Sequence, residues 1–432
     1  MKIIKKAIKS TALKQSALMV FGNTLASAIS AIALIIYSRF LGPEKYGIFS
    51  IGFSTILLLS KLADGGVNVA TQRQTAQIVD KSKKDAKKLI HSGLKIKTAI
   101  TFLVVLIFFI FSKPLAIYWL KTDHVEVIQM AILISVVNVS YDYIAIIHQS
   151  LRRFSDSVIM SISQAFTKAA FAISIWFAHI RDPFIAFILY SISPLVGVGF
   201  GFARLPKWLK SKETVSKKHT KSLLSIMKFT SIAVMASAIG DNIDVLLVKS
   251  YLTNYETGLY SAGARLSILI SIIGYSLGTV LNPRVARYKS ISHFKKFAAK
   301  AMIISIIAII SIGAVMPLTK LFIIITAGKE YLPATQAVSY LLAAGLFAVA
   351  TTPFVSMFYT IEKPSYFAIS GIVQTITLVL ANLYLIPQFG INGAGMSKLI
   401  MRVVTLIFTV IFANWAIKKT YKKGLFSIIF SK

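Results

Sequence analysis

The chain is a succession of apolar runs of about 20 residues, each long enough to cross roughly 30 Å of hydrocarbon as a helix rising about 1.5 Å per residue. Such a run in lipid must satisfy every backbone N–H and C=O internally, which leaves helices or a closed barrel, and runs this long are helices. About twelve follow one another between residues 15 and 416. The expected fold is therefore an all-α, polytopic membrane protein. Composition agrees: 56% of the 432 residues are hydrophobic, only 15% are charged, and the mean hydropathy is +0.73. The ninth run, 297–325, contains Pro317 and Lys320, and its tail is expected to leave the membrane helix at the proline.

A net charge of +33 raises the question of nucleic acid, and its distribution answers it. Most of the 48 Lys and Arg fall in alternate connections, among them KIIKKAIK at the start, KSKKDAKK after the second run, PKWLKSKETVSKKHTK after the sixth and KKTYKK near the end. Basic loops resist translocation, so this asymmetry places those connections, and both termini, in the cytoplasm. No polar segment is long enough to be a nucleic-acid domain; the basic loops are expected to meet anionic lipid headgroups instead. The basic start and first apolar run resemble a signal peptide, but the run continues to Tyr37 and leads into further spans. An uncleaved first helix is expected.

The chain also repeats itself. RFLGPEKYGIFSIG, from Arg39 to Gly52, is answered 211 positions later by SYLTNYETGLYSAG, from Ser250 to Gly263, with Leu41, Gly47, Ser50 and Gly52 recurring as Leu252, Gly258, Ser261 and Gly263. Each copy ends one apolar run and opens the next, as a helical hairpin would. The halves then divide in the basic loop near residue 210, giving units 1–210 and 211–432 with six spans each. Two such bundles in parallel orientation are a transporter's architecture, with the path along the seam.

Several chemistries are missing. The chain has no cysteine, hence no disulfide, thiolate nucleophile or zinc–thiolate site. No GxxxxGK[ST] precedes a helix and no HExxH occurs, so neither a P-loop nor a zinc protease site is encoded. No cofactor is expected and the chain is not read as an enzyme.

What remains for mechanism is charge inside the spans. Lys61, Lys168, Arg265, Lys398 and Arg402 stand against Asp64, Asp142, Asp241 and Asp244; each costs about 2.5 to 3.5 kcal/mol at a helix centre, so pairing or a wet interior is required. Asp244 and Arg265 lie 6 residues before Ser250 and 7 after Gly258, at matching depth in one hairpin, and are expected to pair, with Asp241 on the same helix face as Asp244. Lys398 and Arg402 share a face of the last span and need an anion from another helix or from a substrate; Lys168, near the middle of the fifth span, is expected to face the same interior. Lys61 and Asp64 are expected to form a local i,i+3 pair, and Asp142 to meet Arg152 or Arg153.

FLGPEKYGIFS, NIDVLLVKSYLTNYETGLYSAGARL and PQFGINGAG together resemble the polysaccharide flippases of the O-antigen (Wzx) type, within the multidrug, oligosaccharidyl-lipid and polysaccharide exporter superfamily. The resemblance covers essentially the whole chain. It implies two six-helix bundles around a cavity, and alternating access that carries an undecaprenyl-pyrophosphate-linked oligosaccharide to the outer leaflet, coupled to an H+ or Na+ gradient in the inner (plasma) membrane. Arg265, Lys398, Arg402 and Lys168 are then the expected partners of the anionic headgroup, with Asp241 and Asp244 as coupling or ion-pair residues. Two other readings stay open: a cation-coupled multidrug exporter of the same superfamily, which would want an acidic site, and a membrane glycosyltransferase or polymerase.

Overall fold

The computed structural model describes residues 11–211, 216–285, 291–361 and 365–421. The segments 1–10, 212–215 and 422–432 are among those outside them, and with them KIIKKAIK, part of the expected half boundary and the end of KKTYKK. Within the described residues every regular element is helical. Nine helices there are long and apolar enough to cross a bilayer. The chain is an all-α, multi-pass membrane protein.

The first compact unit, Met1–Ser250, is built from α1 (Thr11–Asp64), α2 (Val67–Ile78), α3 (Lys83–Ile110), α4 (Val125–Ser150), α5 (Phe154–Phe177), α6 (Pro183–Ile192), α7 (Pro194–Ala203), the short α8 (Lys207–Lys210) and α9 (Lys217–Tyr251). At 54 residues, α1 is about 80 Å of helix, more than two bilayer cores. It breaks at Gly42, where φ is 72° and ψ is 169°, a conformation that a Cβ disfavours. Pro43 follows at the first position of the new helix, where its missing N–H costs nothing. Local signals start the other helices. Ser82 caps α3 by accepting from the Asp85 N–H at 3.1 Å, and Asp182 accepts from the Phe184 and Ile185 N–H groups ahead of α6. Pro194 then divides the sixth apolar run into α6 and α7.

Inside this unit α1 packs along α4 and α5, and α2 lies across α3 and α4. The seventh apolar run also belongs here. Leu246 of α9 is buried with Ile51, Leu58, Ile128 and Ile132, the Gln74 amide donates to Ser222 Oγ at 2.8 Å, and the Lys249 ammonium donates to the Lys121 carbonyl at 3.1 Å.

The second unit, Tyr251–Lys432, contains α10 (Asn254–Val285), α11 (Ile291–Thr326), α12 (Thr335–Ile361) and α13 (Ser365–Tyr421). α12 is its central helix, packed by α10, α11 and α13. Phe358 stacks on Tyr366 with centroids 3.8 Å apart, and the Tyr366 hydroxyl meets Thr409 Oγ1 at 2.7 Å. α13 bends at Gly390, with φ 58° and ψ −136°. The expectation for the ninth run is corrected: α11 passes through Pro317 to Thr326 as one helix. One lost backbone hydrogen bond does not end a helix in lipid, where the alternative is several more unsatisfied groups.

The repeated motif has a physical use in each unit. A Cβ on Gly52 would stand 2.7 Å from Val127 Cγ1, and one on Gly263 would stand 2.5 Å from Val338 Cγ2. Both glycines and both valines are 211 positions apart. Each glycine lets the second helix of its hairpin touch the start of the same neighbour, α4 or α12. Ser50 and Ser261, also shared, are both buried. Hairpin starts differ in chemistry, because α10 opens on a capping box: Thr253 Oγ1 accepts from the Glu256 N–H at 3.2 Å while the Thr253 N–H donates to the Glu256 carboxylate at 3.1 Å. Gly263→Ala is expected to lower stability by roughly 1 to 3 kcal/mol through overpacking, read as a lower melting temperature in detergent. An unchanged melting temperature would remove close approach as the reason for this glycine.

Candidate functional site

The interior of the first unit holds a charged residue in an aromatic setting. Phe49 and Phe53, four residues apart on the second half of α1, both present their rings to Tyr190 of α6, at 5.5 and 5.0 Å and near-perpendicular. Tyr37 stacks on Phe49 at 5.3 Å and meets Tyr190 edge-on at 5.6 Å. Into this cluster α5 delivers Lys168, whose ammonium lies 4.7 Å from the Tyr190 ring centroid. Lys168 is 8% exposed, and among the described residues no carboxylate pairs with it. Gln164, one turn earlier on α5, and Tyr37 both bury polar oxygens without a partner there. A cation–π contact offsets part of the cost of burying an ammonium, but not most of it. Chemically the arrangement is a cation with adjacent hydrogen-bonding groups, suited to an anion.

A second polar group lies toward the α2 end of the same unit. The Lys97 ammonium donates to Asp64 Oδ1 at 2.7 Å and to Asn68 Oδ1 at 2.8 Å, and both members of the ion pair are buried. Asp64 Oδ1 also accepts from the Asn68 N–H at 3.3 Å, so it bridges the Gly65–Gly66 turn between α1 and α2. This corrects the expected Lys61–Asp64 pair. Lys61 instead reaches Asp142 of α4 at 3.5 Å, with Asp64 and Asp241 contributing to the field around it. Asp142 is thereby not the partner of the two nearby arginines: Arg152 meets Asp80 at 3.0 Å and Arg153 meets Asp156 at 2.7 Å. Rotation of helices about their axes decides such choices, and spacing along one helix does not report it.

The remaining candidates divide between the units. Asp241 and Asp244 both sit on α9 of the first, Asp244 buried and Asp241 exposed, so the two do not share one environment. Asp244 Oδ1 accepts from the Val245 N–H at 3.0 Å. Arg265 is half-buried on α10 of the second unit. Lys398 and Arg402, one turn apart on α13 beyond the Gly390 bend, are also half-buried; the Arg402 guanidinium donates to Gln374 Oε1 at 3.3 Å.

A profile of polysaccharide biosynthesis proteins matches residues 12–289, well over half of the chain. The chain belongs to that family. An uncharacterised membrane protein of Methanocaldococcus jannaschii is 20% identical over 94% of this chain and 86% of its own length. Among solved structures, the lipid II flippase MurJ in an inward closed conformation superposes with a TM-score of 0.73 at 14% identity, covering 92% of this chain and 87% of its own. An inward-facing multidrug resistance MATE transporter of the MOP superfamily gives 0.69 at 14% identity, covering 92% and 96%. At those identities the likeness shows the fold alone: this member of the polysaccharide biosynthesis family folds as those two proteins do.

Sequence reasoning passed over Lys97 and the aromatic cluster. A signal for each was present. The Ser82–Asp85 cap starts α3 at Lys83, which puts Lys97 14 residues, or about 21 Å, into the helix. The i,i+4 spacing of Phe49 and Phe53 marks one aromatic face.

Proposed function

We propose that the protein flips an undecaprenyl-pyrophosphate-linked oligosaccharide from the cytoplasmic to the outer leaflet, by alternating access of halves 1–210 and 211–432, for cell-surface polysaccharide synthesis. Family membership supports the pathway class, and the transporter fold supports translocation over synthesis. The observation that carries the reading is Lys168, a buried cation left without a carboxylate among the described residues. A pyrophosphate–sugar headgroup is large, polar and anionic, and it supplies the missing charge while the polyprenyl tail stays in lipid. Arg265, Lys398 and Arg402 are the further headgroup contacts in this reading. Asp241 and Asp244 respond to the coupling ion, H+ or Na+, in this reading. The protein sits in the inner (plasma) membrane with both termini in the cytoplasm, as the positive-inside rule requires of its basic connections.

Arg265→Ala is expected to abolish extracytoplasmic glycan in cells while the variant still inserts at normal abundance. Normal glycan export by that variant removes Arg265 from the site. Efflux of a cationic dye by the wild type, without glycan export, would favour the multidrug reading instead, and product formation by purified protein from a lipid-linked donor would favour the polymerase.

A further inference from the structure

A cavity of about 630 Å³ opens among α3, α4 and α7, away from Lys168 and its aromatic ring cluster. Its walls are apolar: Leu94, Phe102 and Val105 of α3, Val136 and Val139 of α4, and Phe202 of α7. From His91 to Val105 it follows 14 residues of α3, about 21 Å, which exceeds the roughly 15 Å depth of one leaflet's hydrocarbon. Leu94, Phe102, Val136 and Phe202 are exposed, so the slot faces the surrounding lipid. His91 and Lys210 line it at the end of the basic α2–α3 and α7–α9 connections, and Lys97, Thr98, Thr101, Ser140 and Tyr143 add polar atoms further along.

That end is built rather than incidental. The short α8 folds back so that Leu209 is buried with Leu89, Ile90, Tyr143 and Ile147, and the Lys87 ammonium donates to Ser211 Oγ at 2.6 Å just beyond it. The intervening Lys210 is thereby held at the mouth, its ammonium 3.0 Å from the Ala203 carbonyl and 5.4 Å from the Phe202 ring centroid. Lys97, which also lines the slot, directs its charge to Asp64 and Asn68. His91 Nδ1 lies 3.0 Å from the Lys87 carbonyl. Lys210 has no carboxylate partner among the described residues.

We propose that this groove is a site for an anionic glycerophospholipid of the surrounding bilayer, with one acyl chain along α3 and the phosphate on Lys210. A largely apolar slot of leaflet depth, with an ammonium at its mouth that no carboxylate among the described residues pairs, matches one chain and one phosphate. It offers too little charge for a pyrophosphate–sugar headgroup, so this lipid is distinct from the proposed cargo and the inference does not depend on flipping.

Intact protein, stripped of lipid in mild detergent, is incubated with phosphatidylglycerol or phosphatidylcholine of identical chains, and retention is read by native mass spectrometry. A phosphatidylglycerol with a diazirine in its chain maps the contact. Retention of phosphatidylglycerol on the order of fivefold above phosphatidylcholine is expected, from about 1 kcal/mol per basic residue at the surface. Crosslinks should concentrate in residues 94–105 and 136–147. Lys210→Glu should erase the preference, and Val136→Trp, which fills the slot from an exposed position, should remove the crosslinks; Leu94→Trp serves if that variant fails to fold. Equal retention of both lipids, a preference unaltered by Lys210→Glu, or crosslinks spread evenly around the helices would overturn the proposal. So would displacement of phosphatidylglycerol by far smaller amounts of undecaprenyl phosphate, which would assign the groove to a polyprenyl carrier.

Discussion

Lys168→Met is expected to raise the thermal stability of the purified protein and to suppress translocation at the same time. The two effects come from one cause. A buried ammonium whose one contact among the described residues is a cation–π contact carries an unrecovered desolvation cost, and a side chain of similar length without charge relieves it, by about 1 kcal/mol or more after the lost contact with Tyr190 is deducted. In the proposed flippase the same change removes a charge that meets the headgroup. A hydrogen bond to a charged group is worth about 1.5 to 3 kcal/mol, so headgroup affinity and flipping should fall roughly ten- to hundredfold. Thermal unfolding in detergent and transport in vesicles measure the pair. A structural lysine would behave in the opposite way: its replacement would lower the melting temperature, and activity would fall only as far as folded protein was lost.

Asp64→Ala is expected to be the most destabilising single change in the first unit, at about 3 to 5 kcal/mol. It leaves the Lys97 ammonium buried with only Asn68 to accept from it, and it removes the acceptor that spans the α1–α2 turn. Adding Lys97→Met should restore most of the loss, because the penalty lies in the unpaired charge and not in the absence of the pair. By contrast Lys61→Met should cost less than about 1 kcal/mol, since the Lys61 side chain is 51% exposed and its distance to Asp142 is 3.5 Å. Melting temperatures of the two single variants and the double variant test this ordering. Equal losses for Asp64→Ala and Lys61→Met would mean that the two pairs are not distinguished by burial.

The membrane class was legible because lipid leaves so few options for an apolar run of 20 residues. Positions where the backbone turns act through local chemistry that the sequence carries and its apolar runs do not single out: Gly42 before Pro43, the threonine three residues before Glu256, and the Asp182–Pro183 start of α6. Pro317 misleads because the rule that ends helices in water is weaker where no solvent can take up the freed carbonyl. Charge partners were the least legible. Lys61 and Asp64 are neighbours along α1, yet each turns to a different helix, Lys61 to α4 and Asp64 to α3. Lys168 stands out in the sequence by depth and sign alone, but its aromatic surroundings come from α1 and α6 together, and no local pattern in α5 announces them.

The repeated hairpin belongs to both groups. Its glycines were visible as a sequence match, and their common purpose, contact with Val127 in one unit and Val338 in the other, required the packing. Charge does not follow the repeat, since Asp241, Asp244 and Arg265 correspond at the same spacing to Ser30, Ala33 and Ser54. Lys168 corresponds to Val379. The charges therefore do not follow the duplicated scaffold.

Reconstitution measures translocation itself. Purified protein in vesicles carrying a fluorescent undecaprenyl-pyrophosphate-linked oligosaccharide on one leaflet, with an imposed H+ or Na+ gradient, is followed by a membrane-impermeant quencher. The account predicts gradient-dependent exchange of the labelled lipid between leaflets by the wild type, and loss of that exchange in Lys168→Met and in Arg265→Ala. Exchange no faster than in protein-free vesicles, or equal exchange by all three proteins, would contradict it.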